Sequence, residues 1–309
     1  STQQLLIHLV HAQQIFKQPL PLNPALIAQT RLFLTNRPSL QLSILILKNM
    51  DDHSSLVDIN LGMTTPTPLF TSKTITSQIP TLFTAKAFTM VFAEKLAQAA
   101  QETLQGNWVL GNITTSNTNL QDFYQLTEQL RTYYLYHYVK TWENIVTHLH
   151  LVTPKDLTAV DALLVTLTNT PSPLLQTLQT IYENIYFEPI IAMSPSLQNL
   201  SIVLNEMHAN TPNSLLSEIF SGLNAVHHYL HAILSAKDID QASSQAIEKR
   251  MQHTGTPDAI TQLRFIAEKS PQPIRQWLDQ ITDVTWQLLM DNANGYLNTA
   301  ENEHSFIKI

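Results

Sequence analysis

Histidine is the residue type in this sequence with the greatest capacity for metal and proton chemistry, and the chain contains 12 copies. His227 and His231 stand four positions apart in a segment whose apolar pattern predicts a helix, which places both rings on one face, with His228 beside them. Two such rings could share a zinc ion, but zinc needs a further protein ligand, and neither HExxH nor another ligand pattern is present. Two weaker pairs have other spacings: His148 with His150, and His8 with His11. We interpret these histidines as solvent-exposed or core-edge residues and expect no metal site.

Phosphate binding is the second chemistry to weigh. Gly106 and Gly111 have the spacing of a GxxxxG loop in the segment GNWVLGN. A P-loop continues with lysine and then serine or threonine, whereas this sequence continues with Asn112 and Ile113. Without the lysine nothing holds the outer phosphates of a nucleotide, so we expect neither a nucleotide nor another cofactor.

Nucleophilic and acid–base catalysis also lack their usual patterns. The sequence has no GxSxG motif, and the absence of cysteine excludes thiolate nucleophiles, disulfides and cysteine zinc sites. One pair of carboxylates, Glu301 and Glu303, falls in the polar tail TAENEHSFIKI, which we expect to fray. A site could still be assembled from distant residues. No element of one stands out, so we predict no catalytic residue, no small-molecule substrate and a non-enzymatic function.

The charge balance argues against nucleic acid and anionic membranes as partners. The formal net charge is −7, from 24 acidic and 17 basic residues, with no run of lysine and arginine that could neutralise phosphates. No apolar stretch approaches the roughly 20 residues of a membrane-spanning helix, since LQLSILIL (40–47) ends at Lys48. The chain opens on Ser1 without a signal peptide. We expect it to be a fragment of a longer protein.

Helices are the elements that must position any site. Only 6 glycines but 16 prolines are present, which suits helices interrupted by proline. The longest predicted helix, 120–150, carries apolar residues at spacings of three or four, here called the stripe: Leu130, Tyr134, Tyr138, Trp142, Ile145 and Leu149. Tyr133 and Tyr136 face away from the stripe. They could pack within the chain, which we favour, or against a partner chain.

Pairs of a hydroxyl residue and proline mark further helix starts, because the hydroxyl can cap a helix whose first position proline occupies. The pairs are Thr153-Pro154, Ser172-Pro173, Thr256-Pro257 and Ser270-Pro271. They predict helices at 154–169 and 273–298 that, with 120–150, organise a helical domain at 119–309.

The first part of the chain, 1–118, is predicted to be a helical sub-domain. It contains a threonine- and proline-rich insert at 51–82 that fits short strands or loop. Residues 39–50 alternate like a strand but also fit a helix, which we favour. The predicted fold class is therefore mainly α, an elongated multi-helix bundle with a small β or irregular insert in its N-terminal third.

Several segments, in the same order, resemble the IcmF/TssM family of bacterial secretion-system proteins. They are NPALIAQTRLFL (23–34), IPTLFTAKAF (79–88), NWVLGN (107–112), LYHYVKTWENIVTHLHL (135–151), SPLLQTL (172–178), PQPIRQWLDQITDVTW (271–286) and YLN (296–298). The resemblance implies the large, mainly helical periplasmic region of an inner-membrane protein. In that family a cytoplasmic NTPase-like domain and transmembrane helices precede this region, and a β-rich domain follows it. The resemblance therefore implies membrane attachment only through segments outside this fragment.

Family members are structural parts of type VI secretion machines or accessory parts of the Dot/Icm type IVB system, which is linked to virulence. They work with a DotU/TssL-like inner-membrane protein. The resemblance therefore implies a scaffold that stabilises a secretion complex with that partner and other subunits. A charged fraction of 13% and a surface rich in Gln, Asn and Thr incline us towards Dot/Icm. One departure is that no tryptophan follows YLN, which puts the link to a following domain in doubt.

Two other functions stay open at this point. The first is a free-standing α-helical effector or adaptor that mediates protein–protein interaction. A start codon directly before this region would favour it, and upstream transmembrane helices would favour the scaffold. The second is a helical metal-dependent hydrolase that uses the His227 group, which metal analysis would test.

Overall fold

The structure is a computed structural model that describes residues 24–25, 39–50, 56–59, 61, 68–72, 78–105, 120–209, 214–252 and 256–306. Helices dominate this part of the chain, so the prediction of a mainly α protein is confirmed. Packing divides the chain into two units: Ser1–Asp51 with Val91–Arg131, and Asp52–Met90 with Thr132–Ile309. The predicted domain boundary at residues 118 and 119 lies outside the described residues and stays a prediction.

The described elements follow in this order along the chain: α1 (Ser39–Asn49), β1 (Leu56–Asp58), β2 (Phe70–Thr71), β3 (Gln78–Pro80), a 3₁₀ turn (Thr81–Phe83), α2 (Ala85–Met90), a π-helical turn (Val91–Lys95), α3 (Leu96–Leu104), α4 (Leu120–His148), β4 (His150–Leu151), α5 (Leu157–Thr168), α6 (Pro173–Ile185), α7 (Glu188–Met193), α8 (Pro195–Ala209), α9 (Leu215–Leu234), α10 (Ile239–Met251), α11 (Ala259–Lys269) and α12 (Ile274–Phe306).

The first unit is organised on the pair α1 and α3, which pack against each other. Leu42 and Leu47 of α1 are buried, as is Ala99 of α3. Ser43 is buried between the helices, and its hydroxyl lies 2.7 Å from the hydroxyl of Thr103. Each hydroxyl also lies within hydrogen-bond distance of a carbonyl oxygen one turn back, Ser43 of Ser39 at 3.0 Å and Thr103 of Ala99 at 2.7 Å, so neither oxygen lacks a partner. The favoured helix at 39–50 is confirmed.

Short strands occupy the described parts of the predicted insert at 51–82, in the second unit. β1 pairs antiparallel with β3, with Val57 opposite Ile79. β2 pairs antiparallel with β4, with Phe70 opposite Leu151. The prediction of strand or loop here is confirmed, but the pairing of β2 with a strand far along the chain was not predicted. The predicted helix 120–150 is wrong at its end, because α4 stops at His148 and the backbone then extends into β4.

The start of α5 corrects the predicted helix 154–169. The helix begins at Leu157, and Asp156 caps it by accepting a hydrogen bond of 2.8 Å from the backbone N–H of Ala159. Thr153-Pro154 is therefore not the cap. Aspartate is a stronger N-cap than threonine, and its charge also interacts favourably with the positive end of the helix dipole.

At α11, too, an aspartate forms the cap in place of the predicted hydroxyl residue: Asp258 caps the helix, and Thr256-Pro257 does not. The prediction for Ser172-Pro173 is confirmed, since Ser172 caps α6 and proline occupies the first turn. At the C-terminus, α12 corrects the predicted helix 273–298 and the frayed tail, because it begins at Ile274 and continues to Phe306. After Gly295 the sequence as far as Phe306 contains neither proline nor glycine, the two residues that most disfavour a helix.

Helix packing in the second unit centres on α9, which packs against α5 and α11. Gly222 allows the close approach of α11, because a Cβ atom at this position would lie 2.8 Å from Ile266 Cδ1 and 2.9 Å from Leu263 Cδ1. The long helix α12 packs against α10 and α11. Within the described residues, no helix combines the length and apolarity needed to cross a bilayer.

Candidate functional site

Within the second unit, the stripe residues of α4 form part of the buried core. Tyr134, Tyr138 and Trp142 are at most 1% exposed. Each polar tip donates to a backbone carbonyl of another segment: Tyr134 to Leu82 at 2.9 Å, Tyr138 to Asn184 at 2.8 Å and Trp142 to Phe83 at 2.9 Å. Burial raises the pKa of both phenols far above the ordinary value, so neither supplies a base at neutral pH. The prediction that these three residues form core is confirmed.

The other side of α4 presents aromatic residues to solvent. Tyr136 is 51% exposed, and its ring meets the ring of His137 edge-on at 5.3 Å. Tyr133 contacts the same imidazole at 4.2 Å between ring centroids. The ring contacts described for Tyr133 and Tyr136 are thus with a neighbour on the same helix. Tyr136 remains open to a partner.

The histidine group on α9 acquires a partner that the sequence did not indicate. His227 Nδ1 lies 2.7 Å from Asp161 Oδ1 on α5, and His231 Nδ1 lies 3.9 Å from Asp161 Oδ2. His228 contributes only a ring contact to His227, at 5.2 Å. Among the described residues no group of three His, Asp or Glu side chains is placed to hold a metal ion. The contact instead ties α9 to α5.

The remaining residues weighed from the sequence do not form a site in the part of the chain that is described. His148 Nδ1 lies 2.9 Å from the carbonyl oxygen of Asn144, and His150 contacts Gln276 of α12. The others lie outside the described residues or have side chains that do: His8, His11, Gly106, Gly111, Glu301 and Glu303.

A groove lies between α9 and α10 in the second unit. It has a volume of about 900 Å³, and the turn that leads into α11 also lines it. A second hollow of about 460 Å³ shares Ala242 and Gln245 with it and extends to Lys237 at the start of α10. The two adjoining hollows are here together called the α9–α10 groove.

The polar groups of the groove that lie near the turn into α11 are held by ion pairing and stacking. The Arg250 guanidinium stacks over the Trp286 ring at 4.0 Å, and its Nε lies 3.6 Å from Asp258 Oδ2. Burial, together with the negative charge of Asp258, raises the pKa of Tyr229 to about 12. The phenol is therefore neutral at physiological pH and can donate a hydrogen bond.

Sequence reasoning missed the residues that link distant segments. Gln280 of α12 accepts from the N–H of Leu151 at 3.2 Å and donates to its carbonyl at 2.8 Å, as a neighbouring strand would. Trp277 donates to the Leu149 carbonyl at 2.6 Å. No local pattern marks such contacts, although glutamine and tryptophan on one helix face could have indicated a polar use for that face.

Comparison with known families identifies the chain. The family model described as IcmF-related, "Intracellular multiplication and human macrophage-killing", matches residues 1–186, which is more than half of the 309 residues. The chain belongs to the IcmF-related family. The resemblance to IcmF/TssM proteins that the ordered segments indicated is confirmed.

The fold of this IcmF-related chain resembles a solved structure titled "Type VI secretion system membrane core complex". The two share 16% sequence identity with a TM-score of 0.63 over 85% of this chain. The match covers 52% of the other chain, so this IcmF-related chain spans about half of that relative. No curated protein matches the sequence.

Proposed function

We propose that this chain is a structural, non-enzymatic periplasmic region of an inner-membrane secretion-system component. It stabilises the secretion complex by presenting surfaces to other subunits, among them a DotU/TssL-like inner-membrane protein. The observation that carries the proposal is membership of the IcmF-related family. The fold shared with a chain of a type VI secretion core complex supports it.

The use of the polar side chains also supports a scaffold. Buried polar side-chain groups in the described second unit hold backbone in place, as the tips of Tyr134, Tyr138 and Trp142 do. Such bonds fix the shape of a helical body in which proline repeatedly interrupts the chain. A rigid body with an exposed aromatic such as Tyr136 fits a subunit contact, because aromatic residues are enriched at interfaces.

The Dot/Icm type is our choice over type VI. It rests on composition, with 13% charged residues against the roughly 25% of average proteins. Complementation tests the choice: the gene should restore effector export in a Dot/Icm strain that lacks its IcmF homologue. Restoration only in a type VI mutant would reverse the assignment.

Topology and function can be tested together in the host. Alkaline phosphatase fused after Phe306 of the full-length protein should be active, since the enzyme folds only in the periplasm. Deletion of the gene should reduce effector export and the yield of the complex recovered with the DotU/TssL-like protein. An inactive fusion, with the protein found in the medium or in target cells, would favour the free-standing effector or adaptor.

A further inference from the structure

The α9–α10 groove is shaped for an elongated occupant. Helix α10 has 13 residues, which at about 1.5 Å per residue gives a length of about 20 Å. The two hollows that make up the groove share Ala242 and Gln245 and run beside this helix from Lys237 to the turn before α11. A compact ligand would fill only part of such a channel, whereas a peptide segment could follow it.

Small residues, here called the floor, line the groove along one stripe of α10. Polar residues, here called the ladder, follow the adjoining stripe. Ala242 and Ala246 lie one turn apart on α10 and leave room for a backbone to approach. Gln241, Gln245 and Lys249 follow one another at intervals of four on the adjoining stripe, and all three are exposed. Within the described residues neither glutamine amide has a hydrogen-bond partner.

The spacing of the ladder matches an extended chain. Residues four apart on a helix are separated by about 6 Å along its axis. Backbone groups that face the same way in an extended peptide repeat every two residues, or about 6.7 Å. Each glutamine amide can both donate and accept, so Gln241 and Gln245 can bond successive peptide groups of an extended segment.

The charges of the groove favour an acidic segment. Both carboxylates that line it already cap helices: Asp238 accepts from the N–H of Gln241, and Asp258 accepts from the N–H and hydroxyl of Thr261. Lys237 and Lys249 stand near opposite ends of α10 and form no ion pair with any described residue. The lining as a whole has three cations, Lys237, Lys249 and Arg250, against these two carboxylates, which gives the groove a net charge of +1 on a chain of net charge −7.

We propose that the α9–α10 groove binds an extended, acidic peptide segment of a partner protein. The partner's backbone bonds Gln241 and Gln245, and its carboxylates meet Lys237 and Lys249. This proposal concerns a surface that the purified chain carries by itself, so it can fail while the proposed role in secretion holds, and the reverse.

Peptide selection tests the specificity of the groove. A phage library of random dodecapeptides is panned on the 309-residue chain after depletion on Ala246→Trp, which fills the floor without a change of charge. Circular dichroism confirms that this variant is folded. Enriched peptides should carry an excess of Asp and Glu and bind the wild-type chain in preference to Ala246→Trp. No enrichment, or enriched peptides without an acidic excess, would overturn the proposal.

Charge reversal provides a second test that does not depend on filling the floor. Fluorescence polarisation of the most enriched peptide should show affinity lower by at least about tenfold for Lys237→Glu combined with Lys249→Glu. The matched control Lys155→Glu changes an exposed lysine outside the groove and should shift affinity by less than about twofold. Equal losses in both variants would contradict the proposal. So would a wild-type dimer in light scattering that Ala246→Trp converts to monomer, because a second copy would then cover the groove.

Discussion

Replacement of Trp142 by alanine is the most direct test of the packing described for the second unit. Its side chain is fully buried on α4. Its indole N–H donates to the Phe83 carbonyl at 2.9 Å and so joins α4 to the 3₁₀ turn. The substitution removes the largest buried side chain of the stripe and one hydrogen bond between segments distant in the sequence.

The expected cost follows from the two contributions. Truncation of a fully buried tryptophan or phenylalanine to alanine destabilises a protein by about 3–5 kcal/mol, through lost burial and the cavity left behind. Trp142→Phe keeps most of the apolar volume but leaves the Phe83 carbonyl unpaired, at a cost of about 1–3 kcal/mol. The order Ala, then Phe, then wild type in increasing stability is thus predicted.

Urea denaturation followed by far-UV circular dichroism measures these losses, with Tyr136→Ala as the matched control. Tyr136 lies on the same helix but is 51% exposed, so its truncation should cost less than about 1 kcal/mol. Hydrogen exchange of residues 81–90 should also accelerate in Trp142→Ala, because these residues lose an anchor. A loss below about 1 kcal/mol for Trp142→Ala, or one equal to that of Tyr136→Ala, would refute the assigned packing.

Three further changes test separate features. Gly222→Ala should be nearly neutral, because a gain of about 1 kcal/mol in helix propensity offsets the displacement of two flexible side-chain ends, whereas Gly222→Val should cost about 1–3 kcal/mol in urea melts. Asp156→Ala should lower stability by about 1 kcal/mol in thermal melts and Thr153→Ala by clearly less; the reverse order would restore Thr153 as the cap. Ultraviolet titration should show one phenol with a pKa of about 12 that is absent in Tyr229→Phe. Since this pKa lies above the unfolded value of about 10, the contribution of Tyr229 to stability should decline as pH rises from about 10 to 12.

The sequence predicted the elements that depend on local patterns. The stripe on α4 follows from helical spacing alone, because residues three and four apart face the same side whatever they later contact. Ser172 was recognised as a cap for the same reason, since serine and the following proline are both local signals. The family resemblance extended these predictions to the fold class.

Contacts between distant segments could not be predicted in this way. A two-residue strand such as β4 has too little length to show a period. It pairs with β2, and Gln280 and Trp277 of α12 form hydrogen bonds with the backbone at Leu151 and Leu149. The carboxylate of Asp161 has no sequence signal that relates it to His227, because helix packing alone brings them together. Caps at Asp156 and Asp258 illustrate a different difficulty, in which two candidate caps lie close together and the stronger one forms the cap.

The two lysines of the α9–α10 groove form no ion pair with any described residue, so ion pairing within the chain does not account for them. Several described cations of the second unit are paired within the chain, as Lys269 is with Glu218 and Arg250 with Asp258. Lys237 and Lys249 are exposed and contribute nothing of that kind to the fold. In the proposed complex the carboxylates of the peptide would pair with these ammonium groups, which would favour rapid and selective association. Reversal of both charges should leave the unfolding transition in place while peptide binding falls, and that separation distinguishes a binding surface from a structural one.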